Sequence, residues 1–132
     1  MKKPKFLEMH EDDLEDIVFQ TNTAGVTFAK NSNKILEFFR DKVEDSDNIL
    51  IRLVREPENE YDSNAVRVEV SVKGAKNFYK IGYIPRDKNS TVSYALLNQA
   101  LYSVTAFQPM VVGGTEEKEN LGFYFKYRIQ RM

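Results

Sequence analysis

The most regular feature of the chain is an alternation of apolar and polar residues over residues 65–72, where every second residue from Val66 onward is valine. Such alternation is typical of a strand with one buried face. Three shorter apolar runs lie elsewhere in the chain. The second and third of them are each followed by a proline, which ends a strand because it cannot donate to a sheet ladder. These runs predict three more strands, at residues 24–29, 49–54 and 78–84.

The last third of the chain has the pattern of a long β-hairpin. Two strand-like segments, residues 102–112 and 121–131, flank the turn-forming sequence Gly113-Gly114-Thr115. We expect one face of the second segment to enter the core and the opposite face to meet solvent or a ligand. The apolar residues that share the first of these faces are Leu121, Phe123, Phe125, Tyr127 and Ile129.

Two segments have helical spacing instead. Asn31-Ser32-Asn33 offers a helix cap, and apolar residues then recur at helical intervals from Ile35 to Val43. Polar residues at 87–90 precede a second such segment, so we predict the principal helix at about residues 87–100. Six or so strands with one principal helix and a possible second indicate a mainly β (α+β) barrel-like domain.

Charge divides the chain into an N-terminal acidic arm, residues 1–22, and a β-barrel domain, residues 23–132. Residues 1–18 hold three lysines and six acids, a balance of −3, whereas the remaining 16 basic and 14 acidic residues give +2. This is far from the basicity of a protein that coats nucleic acid through charge alone. Nucleic-acid binding would therefore need a small local site.

Residue counts exclude several kinds of chemistry. The chain has no cysteine and one histidine, so thiolate and multi-histidine metal sites are excluded. No paired acid and base with enzymatic spacing is present, and we expect a non-catalytic protein without a cofactor. No apolar run reaches about 18 residues, and acids follow the basic start, so we expect a cytoplasmic protein without a membrane span.

Two segments resemble the core motifs of the HIRAN domain family. Residues 53–68, LVREPENEYDSNAVRV, resemble the family's REPxNxYDxNAixV core, and residues 81–86, IGYIPR, match its iGyiPr element. Residues 25–28 resemble its opening strand and residues 112–115 its late hairpin, so the resemblance covers roughly residues 23 to 131. It implies a small barrel related to the OB and SH3-like folds.

The resemblance also implies a function. HIRAN domains occur attached to SNF2-type DNA-repair helicases and as free-standing bacterial and phage proteins, and helicase-linked members hold the free 3′ end of single-stranded DNA. This chain has no Gly-x-x-x-x-Gly-Lys-Ser/Thr phosphate loop, so no helicase activity is carried over. We therefore expect a non-catalytic module that binds the 3′ end of single-stranded DNA in DNA repair or replication. In that context the expected partner protein is a helicase or a nuclease.

Residues that match the family motifs are the candidates for this binding. Tyr61 would stack on the terminal base or sugar. Asp62 would accept a hydrogen bond from the 3′-hydroxyl, because a carboxylate is repelled by phosphates and is tolerated only at the strand end, where a hydroxyl replaces the next phosphate. Tyr83 would lie near the bases and Arg86 near a phosphate. The further candidates are Phe28, Lys30, Asn64 and, as a second cation, Lys88.

Each candidate also has a purely structural interpretation. Asp62 and Asn64 can bond to their own backbone and shape a turn, and Tyr83 can be an ordinary strand aromatic. Arg86 with Asp87 can form a solvated helix start, and Phe28 can belong to the core.

A departure from the family pattern leaves a second function open. End-binding members carry a basic residue and consecutive aromatics after the opening glycine, where this chain has Thr27, Phe28 and Ala29, with Lys30 as the nearest substitute. The alternative is a protein-interaction module. It would use the same pocket or the hairpin face that carries Tyr124, Lys126 and Arg128.

Overall fold

The computed structural model describes residues 1–26, 31–113 and 121–132. The helices are α1 (Lys5–Met9), α2 (Ser32–Lys42) and α3 (Arg86–Leu97), with short 3-10 turns at Leu14–Asp16 and Ser46–Asn48. The strands are β1 (Phe19–Asn22), β2 (Ile49–Arg55), β3 (Val66–Val72), β4 (Tyr79–Tyr83), β5 (Tyr102–Val112) and β6 (Gly122–Arg131). None of the described helices is both long and apolar enough to cross a membrane.

These strands form two antiparallel sheets of three strands each, in the orders β1–β6–β5 and β2–β3–β4. Among the described residues, a single bridge joins the two sheets. The N–H of Ala24 donates to the carbonyl of Tyr83 at 2.7 Å, and the N–H of Tyr83 donates back to the carbonyl of Ala24 at 2.8 Å. The chain that follows β1 is thereby fastened to the end of β4.

The predicted mainly β architecture is confirmed, and the long hairpin appears where its alternation indicated. Closure into a barrel is a different matter. On the side away from the Ala24 bridge, β2 and β5 lie against each other, but no ladder joins them among the described residues. The described part of the chain is thus two linked sheets rather than a closed barrel.

The core lies between the sheets and under the helices. All five apolar residues predicted for the inner face of the second hairpin segment are buried, because a strand with period-2 patterning presents one face to the interior. Val66, Val68 and Val70 of β3 are buried too. The prediction of a single buried face is wrong for β3, since Glu69 and Ser71 on its other face are also buried. Leu36 and Phe39 of α2 and Val92 of α3 cover this core. Burial raises the pKa of the Tyr127 phenol to about 12, and the charge of Asp87 adds to the effect.

The N-terminal part of the sheet differs from the sequence-based expectation. The predicted strand at residues 24–29 is wrong for the part that the structure describes. The strand that pairs with β6 is Phe19–Asn22, and of residues 24–26 only Ala24 makes a bridge. Phe19 stacks on Tyr127 of β6 with 4.7 Å between ring centroids and 5° between ring planes, which fixes the earlier register. Residues 27–30 lie outside the described part of the chain.

Candidate nucleic-acid interface

A cleft of about 390 Å³ opens between the loop that joins β2 to β3, the end of β4 and the first turns of α3. Four of the residues predicted from the family motifs line it. They are Tyr61, Asp62, Tyr83 and Arg86. Residues that are distant in the sequence are brought together because β4 pairs with β3 directly beyond the loop and α3 begins directly after β4.

One asparagine organises the loop that carries Tyr61 and Asp62. The Oδ1 atom of Asn59 accepts hydrogen bonds from the N–H of Tyr61 at 2.9 Å and from the N–H of Asp62 at 3.1 Å. Its Nδ2 group donates to Oε1 of Glu56 at 3.0 Å. Tyr61 itself is 85% exposed, so its ring contributes little to the core and is available to a ligand.

The Asp62 carboxylate is held from two sides. Its Oδ1 atom accepts a hydrogen bond from the N–H of Asn64 at 2.9 Å, which is the turn geometry that the structural interpretation predicts. Its Oδ2 atom accepts one from Nδ2 of Asn89 at 2.7 Å and lies 3.5 Å from Nε of Arg86. Asp62 therefore shapes the turn, and its second oxygen meets two groups of the cleft wall.

These contacts keep Asp62 ionised. Partial burial acts to raise the pKa of its carboxyl group, but the hydrogen bonds from Asn89 and Asn64 and the charge of Arg86 outweigh burial and hold that pKa below its ordinary value. An ionised carboxylate can only accept hydrogen bonds. The cleft thus presents a fixed acceptor beside an exposed ring.

Tyr83 is anchored at its hydroxyl end. The hydroxyl donates to Oε1 of Glu56 at 2.9 Å and accepts a hydrogen bond from Nζ of Lys80 at 2.5 Å, and the same Nζ lies 4.3 Å from the centroid of the Tyr83 ring. Burial acts to raise the pKa of Glu56, yet hydrogen bonds from Asn59 and Tyr83 together with the charge of Lys80 lower it overall. These contacts fix the hydroxyl end of Tyr83, and the residue also lines the cleft.

Gly82 of β4 has a packing role. A Cβ atom at this position would lie 2.4 Å from the carbonyl oxygen of Ala24 and 2.7 Å from Cγ2 of Thr23. Both distances are too short for any side chain. Gly82 therefore permits the bridge between Ala24 and Tyr83, which closes one side of the cleft.

The predicted cations do not share one position. Arg86 is 75% exposed at the cleft, and its Nη2 group donates to the carbonyl of Tyr61 at 3.2 Å. Lys88 instead reaches the carbonyl of Gln20 and the hydroxyl of Thr21 at 3.4 Å, on β1. Lys88 does not line the cleft, whereas Arg86 does.

Of the predicted residues not yet placed, Asn64 alone belongs to the described part of the chain. Asn64 lines a neighbouring cleft beside the N-terminal segment. Phe28 and Lys30 lie outside the described residues, as do Thr27 and Ala29. Within the described ranges, no group of three or more His, Cys, Asp or Glu side chains is arranged to hold a metal ion.

Sequence reasoning missed Asn89 as a part of this site. Asn89 is 4% exposed although it lies only one turn into α3, and it donates the shortest hydrogen bond to Asp62. Asparagine is unfavourable inside a helix, where its side chain competes for backbone groups, so its presence beyond the cap position was the available signal. Glu56 and Asn59, which hold Tyr83 and the loop, were also not among the predicted site residues.

The cleft lies within a region of the chain that matches a known domain family. The family model of the HIRAN domain matches residues 17–129, most of the chain. The chain belongs to the HIRAN domain family. HIRAN domains are DNA-binding modules. The chain is also similar to the crystal structure of the HIRAN domain of human HLTF, with 14% identity, a TM-score of 0.49, and coverage of 84% of this chain and 75% of that one. No curated protein matches the chain.

Proposed function

We propose that this HIRAN domain binds the 3′ end of single-stranded DNA in the cleft beside Tyr61, and that it does so without catalysis. One arrangement carries the proposal. An 85% exposed tyrosine ring adjoins a partly buried carboxylate, and the exposed Arg86 contacts both residues. A stacking surface, an acceptor and a cation therefore line the same cleft.

Tyr61 acts as the stacking surface in this proposal. Stacking of a base on an aromatic side chain contributes about 1–3 kcal/mol and does not depend on sequence, because every base has a π-face. An exposed tyrosine ring gains this contact without rearrangement of the core. Tyr83, anchored through Glu56, supplies a second ring near the bases.

Asp62 recognises the end of the strand. A phosphate beside this ionised carboxylate is repelled, whereas a terminal hydroxyl donates a hydrogen bond to it. Oδ1 has room for such a donor. The two carboxylate oxygens have about four lone-pair positions, of which Asn64 takes one on Oδ1 while Asn89 and Arg86 take the two on Oδ2. The free position selects a 3′-hydroxyl.

Arg86 offsets the repulsion between the Asp62 carboxylate and the phosphates of the nucleic acid. Its guanidinium is held by the Tyr61 carbonyl and Asp62 on one side and stays 75% exposed, so further N–H groups can bind the phosphate that precedes the terminal nucleotide. End recognition of this kind fits a repair or replication process in which a helicase or nuclease exposes or trims 3′ ends.

An NMR titration with a short single-stranded oligonucleotide tests this assignment. We expect amide shifts at residues 59–65 and 82–89, which form the cleft, and little change at the outer face of β5 and β6. Shifts confined to that hairpin face would contradict the proposed site.

The hairpin face supports the second candidate function, protein interaction. A cleft of about 350 Å³ on this face is lined by Met110, Tyr124 and Lys126 among others, and Met110 is 53% exposed. Exposed methionine and aromatic side chains are enriched at protein interfaces because they adapt to a partner's shape. Partner binding here would leave the Tyr61 cleft free.

A further inference from the structure

A second cleft, of about 550 Å³, lies next to the first and is lined by residues 1–5 with Glu8, Asn64 and Ser90. The two clefts share a wall. The N–H of Asn64 donates to Oδ1 of Asp62, and Ser90 follows Asn89, which donates to Oδ2. A DNA strand whose 3′ end lies at Asp62 therefore passes the second cleft if it runs across this shared wall.

The lining of the second cleft is basic although the arm as a whole is acidic. It includes Lys2, Lys3 and Lys5 against one acid, Glu8. Among the described residues Lys3 forms an ion pair with Glu11, whereas Lys2 and Lys5 are exposed and make none. Two unpaired cations thus face a cleft that also offers the amide and hydroxyl of its other wall.

The position of this lysine segment is fixed by the fold. Leu7 of α1 is fully buried, and its N–H donates to the carbonyl of Pro4 at 3.1 Å. Glu11 contacts Lys3 and also Arg131 of β6, at 3.2 Å. Because the segment is already ordered, binding through it costs less conformational entropy than binding through a free tail.

We infer that Lys2 and Lys5 bind the phosphates of the same DNA strand, upstream of the 3′ end held at Asp62. This inference rests on the proposed function. The protein has a net charge of −1, so a local pair of cations is what attracts the backbone at this place. Asn64 and Ser90 add the amide and hydroxyl groups that commonly contact phosphate oxygens.

The dependence of binding on salt tests the inference. Oligonucleotides of about three and about ten nucleotides with a free 3′-hydroxyl are titrated between about 0.1 and 1 M salt by fluorescence anisotropy, and the same strands with a 3′-phosphate are measured beside them for end preference. Loss of two phosphate contacts makes the slope of log affinity against log salt concentration shallower by about 1.4. Over this tenfold range of salt, the affinity of the wild type for the longer strand therefore falls about 25-fold more than that of Lys2→Ala/Lys5→Ala. The slope for the shorter strand is expected to stay the same.

Lys73→Ala/Lys76→Ala is the matched control. It removes the same charge from exposed positions beyond the far end of β3, and we expect the wild-type slope. Equal slopes for wild type and Lys2→Ala/Lys5→Ala, with a preference for 3′-hydroxyl ends retained, would overturn this inference alone. An equal drop in the control would overturn it too. A lysine-dependent slope without any end preference would keep the phosphate contact and contradict the proposed function.

Discussion

Removal of the Asn89 side chain tests how the cleft is held. Asn89 is 4% exposed, and its amide donates to Oδ2 of Asp62 at 2.7 Å. Asn89→Ala leaves this ionised, partly buried carboxylate with one donor fewer. Hydrogen bonds to charged groups contribute about 1.5–3 kcal/mol, so we expect the free energy of unfolding at pH 7 to fall by about that amount.

The loss should depend on pH. The pKa of Asp62 lies below its ordinary value in the folded protein, so the associated stability is present above the unfolded-state pKa and is lost as the pH falls through the folded-state pKa. Without Asn89 the pKa of Asp62 moves back up. The difference between wild type and Asn89→Ala is therefore full above about pH 5 and narrows below about pH 4, toward the roughly 0.5–1.5 kcal/mol of a neutral hydrogen bond.

Asn98→Ala is the matched control at the other end of α3. Its amide donates to the backbone carbonyl of Tyr94 at 2.8 Å, a neutral acceptor, so its loss should not change over the same pH range. Urea unfolding of all three proteins at about pH 7 and about pH 3 measures both effects. An Asn89→Ala difference that is the same at both pH values would refute the charge-assisted account of Asp62.

Three further substitutions separate binding from folding. Tyr61→Ala should weaken oligonucleotide binding, measured by anisotropy, by about 1–3 kcal/mol, while its free energy of unfolding stays within about 0.5 kcal/mol of the wild type. A variant that unfolds would contradict the exposed placement of the ring. Tyr83→Phe removes the donor to Glu56 and should lower the free energy of unfolding in urea by about 0.5–1.5 kcal/mol, whereas no loss would refute that bond. Gly82→Ala forces its Cβ against Ala24 and should cost about 1–3 kcal/mol in the same assay, and a neutral result would mean that the bridge gives way freely.

The sheet could be predicted from the sequence where one face of a strand is buried. In β6 the alternation from Leu121 to Ile129 fixes the register, since a slip by one residue would move every aromatic to the wrong face. β1 carries no such signal, because three of its four residues are polar. Its place is decided by pairing with β6, which is a property of the fold and not of the local pattern.

The site was partly predictable for a similar reason. Tyr61 and Asp62 could be identified from a motif, whereas Asn89 joins them only when α3 packs beside the loop. Helix geometry also separates Arg86 from Lys88, since residues two apart on a helix face different directions. One therefore lines the cleft and the other contacts β1, a division that a linear motif does not reveal.

The central claim is that Asp62 recognises a terminal hydroxyl. Its most direct test compares two otherwise identical single strands, one ending in a 3′-hydroxyl and one in a 3′-phosphate, by fluorescence anisotropy at matched salt. We expect a preference for the hydroxyl end, because the phosphate replaces a charge-assisted hydrogen bond of about 1.5–3 kcal/mol with repulsion. Asp62→Asn should narrow that preference, since an amide can accept from a hydroxyl and also donate to a phosphate. Equal affinity of the wild type for both ends would contradict the claim and leave Asp62 as a turn residue.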